Sequence, residues 1–252
     1  LMPVLALLYG GGALLIRETA VRLNLNKAGL LLLCLAYGIV EEAFNTQSLF
    51  DPNYLGLRLL DYGYVPFLKM GSWWTVYVLG IHIIWSTAVP VLLIDYLFPK
   101  AKGKPVLGIA GIVVVAAGFA FAAFAPLLNR PEQAFMASGQ QFIIAGIAVI
   151  LLCVLAVLGF RKRNGEEKRT ANVPSPLAVG IISLLLGSGF MALTFVTTYI
   201  PAWLNVTGML LLFTAGAVLF GLLSKRSGWS EKHTLYEVGG LLFTYAWFGF
   251  VQ

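Results

Sequence analysis

Long apolar runs, each close to the length that crosses a lipid bilayer, restrict this sequence to membrane folds more than any other feature. A bilayer-spanning helix needs about 20 consecutive apolar residues, and the segment 139–160 contains no Asp, Glu, Lys or Arg. Because hydrocarbon offers no hydrogen-bond partners, such segments satisfy their backbone groups internally as helices. The sequence therefore predicts an all-α polytopic membrane protein, a single bundle of about eight transmembrane helices. The predicted spans are 1–16, 28–49, 75–98, 106–128, 139–160, 177–200, 203–224 and 234–251.

The composition excludes most soluble classes of protein. The chain is 59% hydrophobic and 11% charged, whereas soluble domains carry about 25% charged residues. It contains no Gly-rich phosphate loop, no His-Glu-x-x-His zinc helix and no Gly-x-Ser-x-Gly nucleophile elbow. We therefore expect membrane lipids as neighbours, no nucleic-acid partner, no cofactor and no metal centre.

Basic residues alternate between the connections and predict the orientation of the chain. Most of the 17 Lys and Arg residues fall in alternate connections, and cytoplasmic loops of membrane proteins are enriched in these residues. We therefore expect the basic linker 161–176 and the other basic connections to be cytoplasmic, with the aromatic loop 50–74 and both termini outside. The expected location is the plasma (inner) membrane of a prokaryote. Since the chain starts with Leu1 and not Met, we expect a few residues to precede it, without a cleavable signal peptide.

The segment GIVEEAFNTQSLF, residues 38–50, interrupts an apolar run with two adjacent carboxyl groups, Glu41 and Glu42. A charged side chain in a span costs about 2.5–3.5 kcal/mol even on lenient insertion scales, so both are expected to face protein or water. At a rise of about 1.5 Å per residue, Glu42 lies roughly 12 Å, and His82 of the next span roughly 10 Å, below the outer membrane face. We therefore expect Glu41, Glu42 and His82 to meet at one buried level.

Each member of this cluster is followed four residues later by a polar side chain, which a helix places on the same face. These side chains are Asn45, Thr46 and Ser86. Trp85 lies in the same span as His82, and Asn205 lies near the outer end of a later span. We predict catalytic roles for Glu41, Glu42 and His82, and supporting or substrate-binding roles for Asn45, Thr46, Ser86, Trp85 and Asn205.

Two glutamates and a histidine in one wet pocket indicate acid–base chemistry. Burial and mutual repulsion favour a state in which one carboxyl group is neutral and the other charged. A general base beside an acid and an imidazole can activate water. The same three side chains would also suit zinc or manganese as ligands. Since the spans contain only one histidine at this level, we favour activation of water without a metal.

The glutamate pair in one span and the histidine in the next resemble the CPBP superfamily, which contains the type II CAAX prenyl proteases, also called glutamate intramembrane proteases. The pattern of that family is Glu-Glu-x-x-x-Arg, Phe-x-x-x-His and His-x-x-x-Asn (or Asp) on separate helices, and the resemblance covers residues 38–90. It implies an intramembrane peptidase in which Glu41 is the general base, Glu42 supports it and His82 binds the water or the oxyanion.

The chain departs from the family pattern at several positions. Thr46 stands in the arginine position and Val78 in the phenylalanine position. The only other histidine, His233, lies at the cytoplasmic end of the last predicted span. Because these partners are missing, the chain is expected to have lost or changed the chemistry of the family, as non-protease members of the wider superfamily have.

Three functions remain open from the sequence. A membrane-embedded hydrolase would act on a peptide or lipid-linked substrate with the cluster activating water. A proton-coupled transporter would use the same groups as a relay, since intramembrane Glu and His also carry protons. A non-enzymatic scaffold or accessory subunit would use them to bind a membrane protein partner.

The loop 50–74 carries many aromatic residues, which are typical of a membrane interface. Its segment LGLRLLD, residues 55–61, is expected to form a short interfacial helix over the cluster. Arg58 and Asp61, three residues apart, are expected to form a surface ion pair.

Overall fold

Every predicted apolar segment corresponds to a helix in the computed structural model, which describes residues 2–128, 131, 134–162 and 171–251. The helices are α1 Met2–Arg22, α2 Lys27–Asn45, α3 Ser72–Leu97, α4 Ile109–Leu128, α5 Gly139–Gly159, α6 Pro176–Val196, α7 Ala202–Leu223 and α8 Glu231–Val251. Seven of them, α1 to α7, are long and apolar enough to cross a membrane. The prediction of an all-α polytopic membrane protein is therefore confirmed.

Helix α8 corresponds to the eighth predicted span but is more polar than the other seven helices. Its 21 residues are enough to cross a bilayer, yet its first turns carry Glu231, Lys232, His233 and Glu237. It is not among the seven helices that combine sufficient length with sufficient apolarity. The crossing of the membrane by α8 therefore stays a prediction.

The chain divides into two compact units, each of which has its own helix packing. Unit 1 consists of Leu1–Val91 and Gly103–Lys162, and unit 2 of Leu92–Lys102 and Arg163–Gln252. In unit 1, α2 packs against α5 and against the middle of α3, while α4 packs against α1 and the end of α2. In unit 2, α6 packs along α8 and also contacts α7. The boundary after Lys162 falls in the predicted linker 161–176, whose residues 163–170 lie outside the described part of the chain.

Three helices of unit 1 widen from α- to π-helical geometry for about one turn. These turns are Ala6–Gly10 in α1, Val40–Asn45 in α2 and His82–Ala88 in α3. In α2, the N–H of Thr46 donates to the carbonyl of Glu41 at 2.9 Å, a bond across five residues rather than four. In α3, Pro90 follows the π turn and has no N–H to donate to the preceding turn. Because π turns occur frequently at functional sites, the side chains on these turns are candidates for a functional site.

The aromatic loop 50–74 contains a short hairpin and not the predicted interfacial helix. Strands β1 Tyr64–Val65 and β2 Met70–Gly71 pair antiparallel, after a single 3₁₀ turn at Tyr54–Gly56. The predicted helix at 55–61 was wrong because Leu55 and Arg58 adopt left-handed backbone conformations, with φ of 52° and 46°, which a right-handed helix excludes. The predicted Arg58–Asp61 ion pair does form, with 2.7 Å between exposed side chains.

Candidate active site

The three predicted catalytic side chains come together inside unit 1. Glu41 and Glu42, from the π turn of α2, and His82, from the π turn of α3, are 3%, 4% and 5% exposed. The imidazole lies between the two carboxyl groups, because Nε2 is 2.7 Å from Glu42 Oε1 and Nδ1 is 3.2 Å from Glu41 Oε2. The prediction that these groups meet at one buried level is confirmed.

Glu42 is fixed by hydrogen bonds on both of its carboxyl oxygens. Oε1 pairs with the His82 ring, and Oε2 accepts from the hydroxyl groups of Thr46, at 2.9 Å, and of Ser48. Trp74 extends this network, since its Nε1 donates to Ser48 Oγ at 2.9 Å. Thr46, which was predicted to share a helix face with Glu42, thus contacts it. A carboxyl group held in this way orients the imidazole and has little freedom to rearrange during a reaction.

Replacing Trp74 with phenylalanine is expected to loosen this network by removing one hydrogen bond, which corresponds to about 1 kcal/mol of unfolding free energy. The adjacent Trp73 provides a matched control, because its buried Nε1 has no hydrogen-bond partner among the described residues. Both Trp→Phe variants lose similar ring area, so thermal unfolding in detergent should show a larger loss for W74F than for W73F. Equal losses would show that the Trp74–Ser48 bond does not support Glu42.

The short contact with Glu42 favours one tautomer of a neutral His82. In this tautomer the N–H lies on Nε2, facing the carboxyl group of Glu42, and Nδ1 keeps its lone pair. Nδ1 lies 3.0 Å from the hydroxyl oxygen of Ser86, which was predicted to share a helix face with His82 and which donates to Nδ1 in this tautomer. Nδ1 thus remains directed toward Ser86 and Glu41, with a lone pair that can accept a proton or bind a cation.

Glu41 is the member of the cluster with an unused oxygen atom. Its Oε2 is buried and has no aligned hydrogen-bond partner among the described residues, although Nδ1 of His82 lies only 3.2 Å away. The hydroxyl groups of Tyr9 and Tyr37 approach the same carboxyl group. Two electron-rich atoms, Glu41 Oε2 and His82 Nδ1, therefore face each other. Such a contact is favourable only when a proton, a polarised water or a cation lies between them.

Two tyrosines that the sequence patterns did not predict enclose His82. The ring of Tyr9, from the π turn of α1, stacks on the imidazole with 6.2 Å between centroids and 24° between planes. The ring of Tyr37 meets it edge-on at 6.1 Å. Tyr37 precedes Glu41 by four residues, a helical spacing that could have revealed it. Tyr9 carries no such signal, because no local pattern connects it with residues of α2 or α3.

The other predicted supporting residues lie in different surroundings. Asn45 was expected to share a face with Glu41, but its amide donates to the carbonyl of Ala122 in α4 at 3.0 Å, since the π turn changes the four-residue relation. Trp85 is buried in α3, three residues after His82. Asn205 belongs to unit 2, where its amide donates to the carbonyl of Leu193 at 2.8 Å. Supporting roles for these residues stay predictions.

The charges of the cluster do not balance by themselves. Both glutamates pair with the same imidazole, and one imidazolium can neutralise only one of two carboxylates. An uncompensated buried charge costs several kcal/mol. A shared proton or a bound cation must therefore supply the remaining positive charge. Within the described part of the chain, these three residues form the cluster of ligand-type side chains whose atoms all lie within 4.8 Å of one another.

Comparison with known proteins places the chain by family but gives no activity. A family model described as an uncharacterized membrane protein family matches residues 1–247. No curated protein and no solved structure matches the chain.

Proposed function

The chain belongs to this uncharacterized membrane protein family, and we propose that it is a membrane-embedded hydrolase in which Glu41 and His82 activate a water molecule. One observation supports this most strongly: the buried Oε2 of Glu41 has no aligned partner and faces the imidazole. The second glutamate fixes that imidazole from its other side. A carboxylate with a free oxygen beside an oriented imidazole has the composition of a general base with its positioning groups.

The division of roles follows from the hydrogen bonds. Glu42 is held by Thr46 and Ser48 and positions His82. Glu41 accepts a proton from the water molecule while the oxygen of that water attacks the carbonyl carbon of the substrate. The same proton then passes from Glu41 to the leaving group as the scissile bond breaks. The hydroxyl groups of Tyr9 and Tyr37, next to Glu41, would donate to the oxygen that becomes negatively charged.

The proposed substrate is a peptide bond in a membrane-resident polypeptide. Two arguments support this choice: the cluster is buried in helices that are apolar enough to cross a membrane, and residues 38–90 resemble the glutamate intramembrane proteases. We further propose that the cluster lies near the outer leaflet of a prokaryotic plasma membrane, with the basic connections cytoplasmic. Thr46, which stands in the arginine position of the family pattern, instead donates to Glu42, so substrate positioning differs from that of the family.

Isotope incorporation tests the activation of water directly. The protein in lipid nanodiscs is incubated in ¹⁸O-enriched water with a panel of quenched-fluorescent transmembrane peptides. We expect one ¹⁸O atom in each newly formed carboxyl group, and at least about 100-fold slower cleavage by His82→Gln, because acid–base groups contribute 10²–10⁴-fold. Cleavage by wild type and variant at equal rates, or no cleavage by either, contradicts the proposal.

A proton-coupled transporter is the second candidate, favoured by the position of one imidazole between two carboxyl groups. This arrangement can pass a proton from Glu42 to Glu41 through the two ring nitrogens. Reconstituted protein would then carry protons across liposomes at a rate that falls when Glu42 is replaced with glutamine. Proton flux unaffected by that change eliminates the transporter, and absence of both flux and hydrolysis favours the scaffold.

A further inference from the structure

We propose that Glu41 and His82 bind a divalent transition-metal ion of the zinc or manganese class between Oε2 and Nδ1. The inference deepens the proposed hydrolase by naming a cofactor for the same site, and the catalytic role of the ion rests on that proposed function. Binding itself is a separate property of the side chains and can be measured without any substrate.

The geometry of the two facing atoms fits a metal ion. Ligands bound at 2.0–2.1 Å to a tetrahedral zinc ion lie about 3.3 Å from each other. Glu41 Oε2 and His82 Nδ1 are 3.2 Å apart and are not joined by an aligned hydrogen bond. A direct contact of this kind without a bridging positive charge is repulsive.

Glu42 lies where it would accept a hydrogen bond from the ring nitrogen of His82 that does not bind the ion. Histidines that bind metal through one ring nitrogen almost always donate the other N–H to a carboxylate or a carbonyl, which fixes the tautomer and raises the basicity of the ligand. Glu42 Oε1 is 2.7 Å from Nε2, and its other oxygen is occupied by Thr46 and Ser48. The structure therefore assigns Nδ1, and not Nε2, as the metal-binding nitrogen.

Further oxygen atoms lie near Glu41 and Nδ1 of His82. The hydroxyl of Tyr37 is buried and has no aligned hydrogen-bond partner among the described residues, and it approaches the carboxyl group of Glu41. The hydroxyl of Ser86 lies 3.0 Å from Nδ1. Together with a water molecule, these groups would supply a coordination shell of one nitrogen and several oxygens. Such a shell favours zinc or manganese over magnesium or calcium, which take oxygen ligands.

The net charge of the cluster also favours a divalent cation. Two carboxylates around a neutral imidazole carry two negative charges in a site that is 3–5% exposed, and a dication neutralises both. Glu41 would hold the ion through Oε2, which would leave Oε1 as its second carboxyl oxygen for the role of general base. The general base of the proposed hydrolase is therefore retained.

Metal content and titration provide the test. The full chain is purified in detergent without chelators, its zinc and manganese are measured by mass spectrometry, and the demetallated protein is titrated with Zn²⁺, Mn²⁺ and Co²⁺. We expect about one ion per chain and, with Co²⁺, the visible absorption bands of a low-symmetry site containing a nitrogen ligand. Glu41→Gln and His82→Gln should lower the affinity at least about 100-fold. Glu42→Gln should lower it about 10–100-fold, as outer-shell changes do.

The buried Glu237 of unit 2 provides the matched control, since Glu237→Gln also removes a buried carboxyl group in a helix. This variant should bind the ion as wild type does, and size-exclusion chromatography verifies the folding of every variant. The inference is overturned when wild type binds none of the three ions at micromolar concentration. It is equally overturned when Glu41→Gln and His82→Gln bind them as tightly as Glu237→Gln does.

The two proposals fail separately. Hydrolysis that continues in a chelator and is lost in His82→Gln, without metal binding, overturns the metal site and leaves the hydrolase intact. A bound ion in a protein that cleaves no peptide overturns the hydrolase and leaves the metal site intact.

Discussion

Replacing Glu41 with glutamine is expected to lower kcat for peptide cleavage by about 10³-fold, within the 10²–10⁴-fold range for loss of a general base. Glutamine keeps the size of the side chain and its ability to contact Tyr9 and Tyr37, which approach this carboxyl group. It cannot accept the proton of the attacking water. KM should change less than about threefold, because the loss falls on the transition state and not on ground-state binding.

The comparison with Glu237→Gln separates loss of the base from general damage to the membrane helices. Glu237 is 7% exposed and lies in unit 2, so its replacement should leave kcat and KM within about twofold of the wild-type values. Both variants should elute as folded protein with similar melting temperatures. Cleavage by folded Glu41→Gln at the wild-type rate would rule out Glu41 as the base, whatever the behaviour of His82.

Replacing Gly240 with alanine is expected to cost about 3 kcal/mol of unfolding free energy, the upper end of what overpacking a close contact costs. A Cβ at this position would lie 2.3 Å from the carbonyl oxygen of Gly180 and 2.8 Å from the backbone nitrogen of Leu184. Backbone atoms cannot move aside by changing a rotamer, so α6 and α8 would have to separate. That separation would weaken the bond at 2.6 Å from Ser183 Oγ to the carbonyl of Glu237.

Gly239 is the matched control for this change, because a Cβ there meets nothing within 4 Å. Gly239→Ala should be neutral or stabilising by up to about 1 kcal/mol, since alanine favours the helix over glycine. The cost of about 3 kcal/mol in Gly240→Ala should appear as a fall in melting temperature, relative to the wild type, of roughly 6–12 °C for a chain of this size. Equal melting temperatures of the two variants would show that α6 and α8 are not in close contact at Gly240.

The resemblance to the glutamate intramembrane proteases implied roles for the cluster residues but gave no information on their arrangement. The motif implied that Glu41 is the base and Glu42 its support. The two carboxyl groups do differ in the structure: Glu42 is bonded on both oxygens, whereas Glu41 Oε2 has no aligned partner among the described residues. The family pattern gave no indication of Tyr9 or Trp74. Trp74 is linked to Glu42 through Ser48, so a motif based on sequence spacing cannot detect it.

The sequence by itself determined that the chain is a membrane protein, where its helices lie and that the polar side chains of the cluster lie at one level. The cost of placing polar atoms in hydrocarbon depends on each segment's own composition, so the apolar runs predicted the positions of α1 to α8. The helical rise per residue predicted that Glu41, Glu42 and His82 lie at one level. The tertiary structure decided where the helices widen into π turns, which nitrogen of His82 meets which carboxyl group, and why Asn45 turns to Ala122. These features depend on contacts between residues far apart in the chain. Such contacts produce no regular spacing of residue types in the sequence.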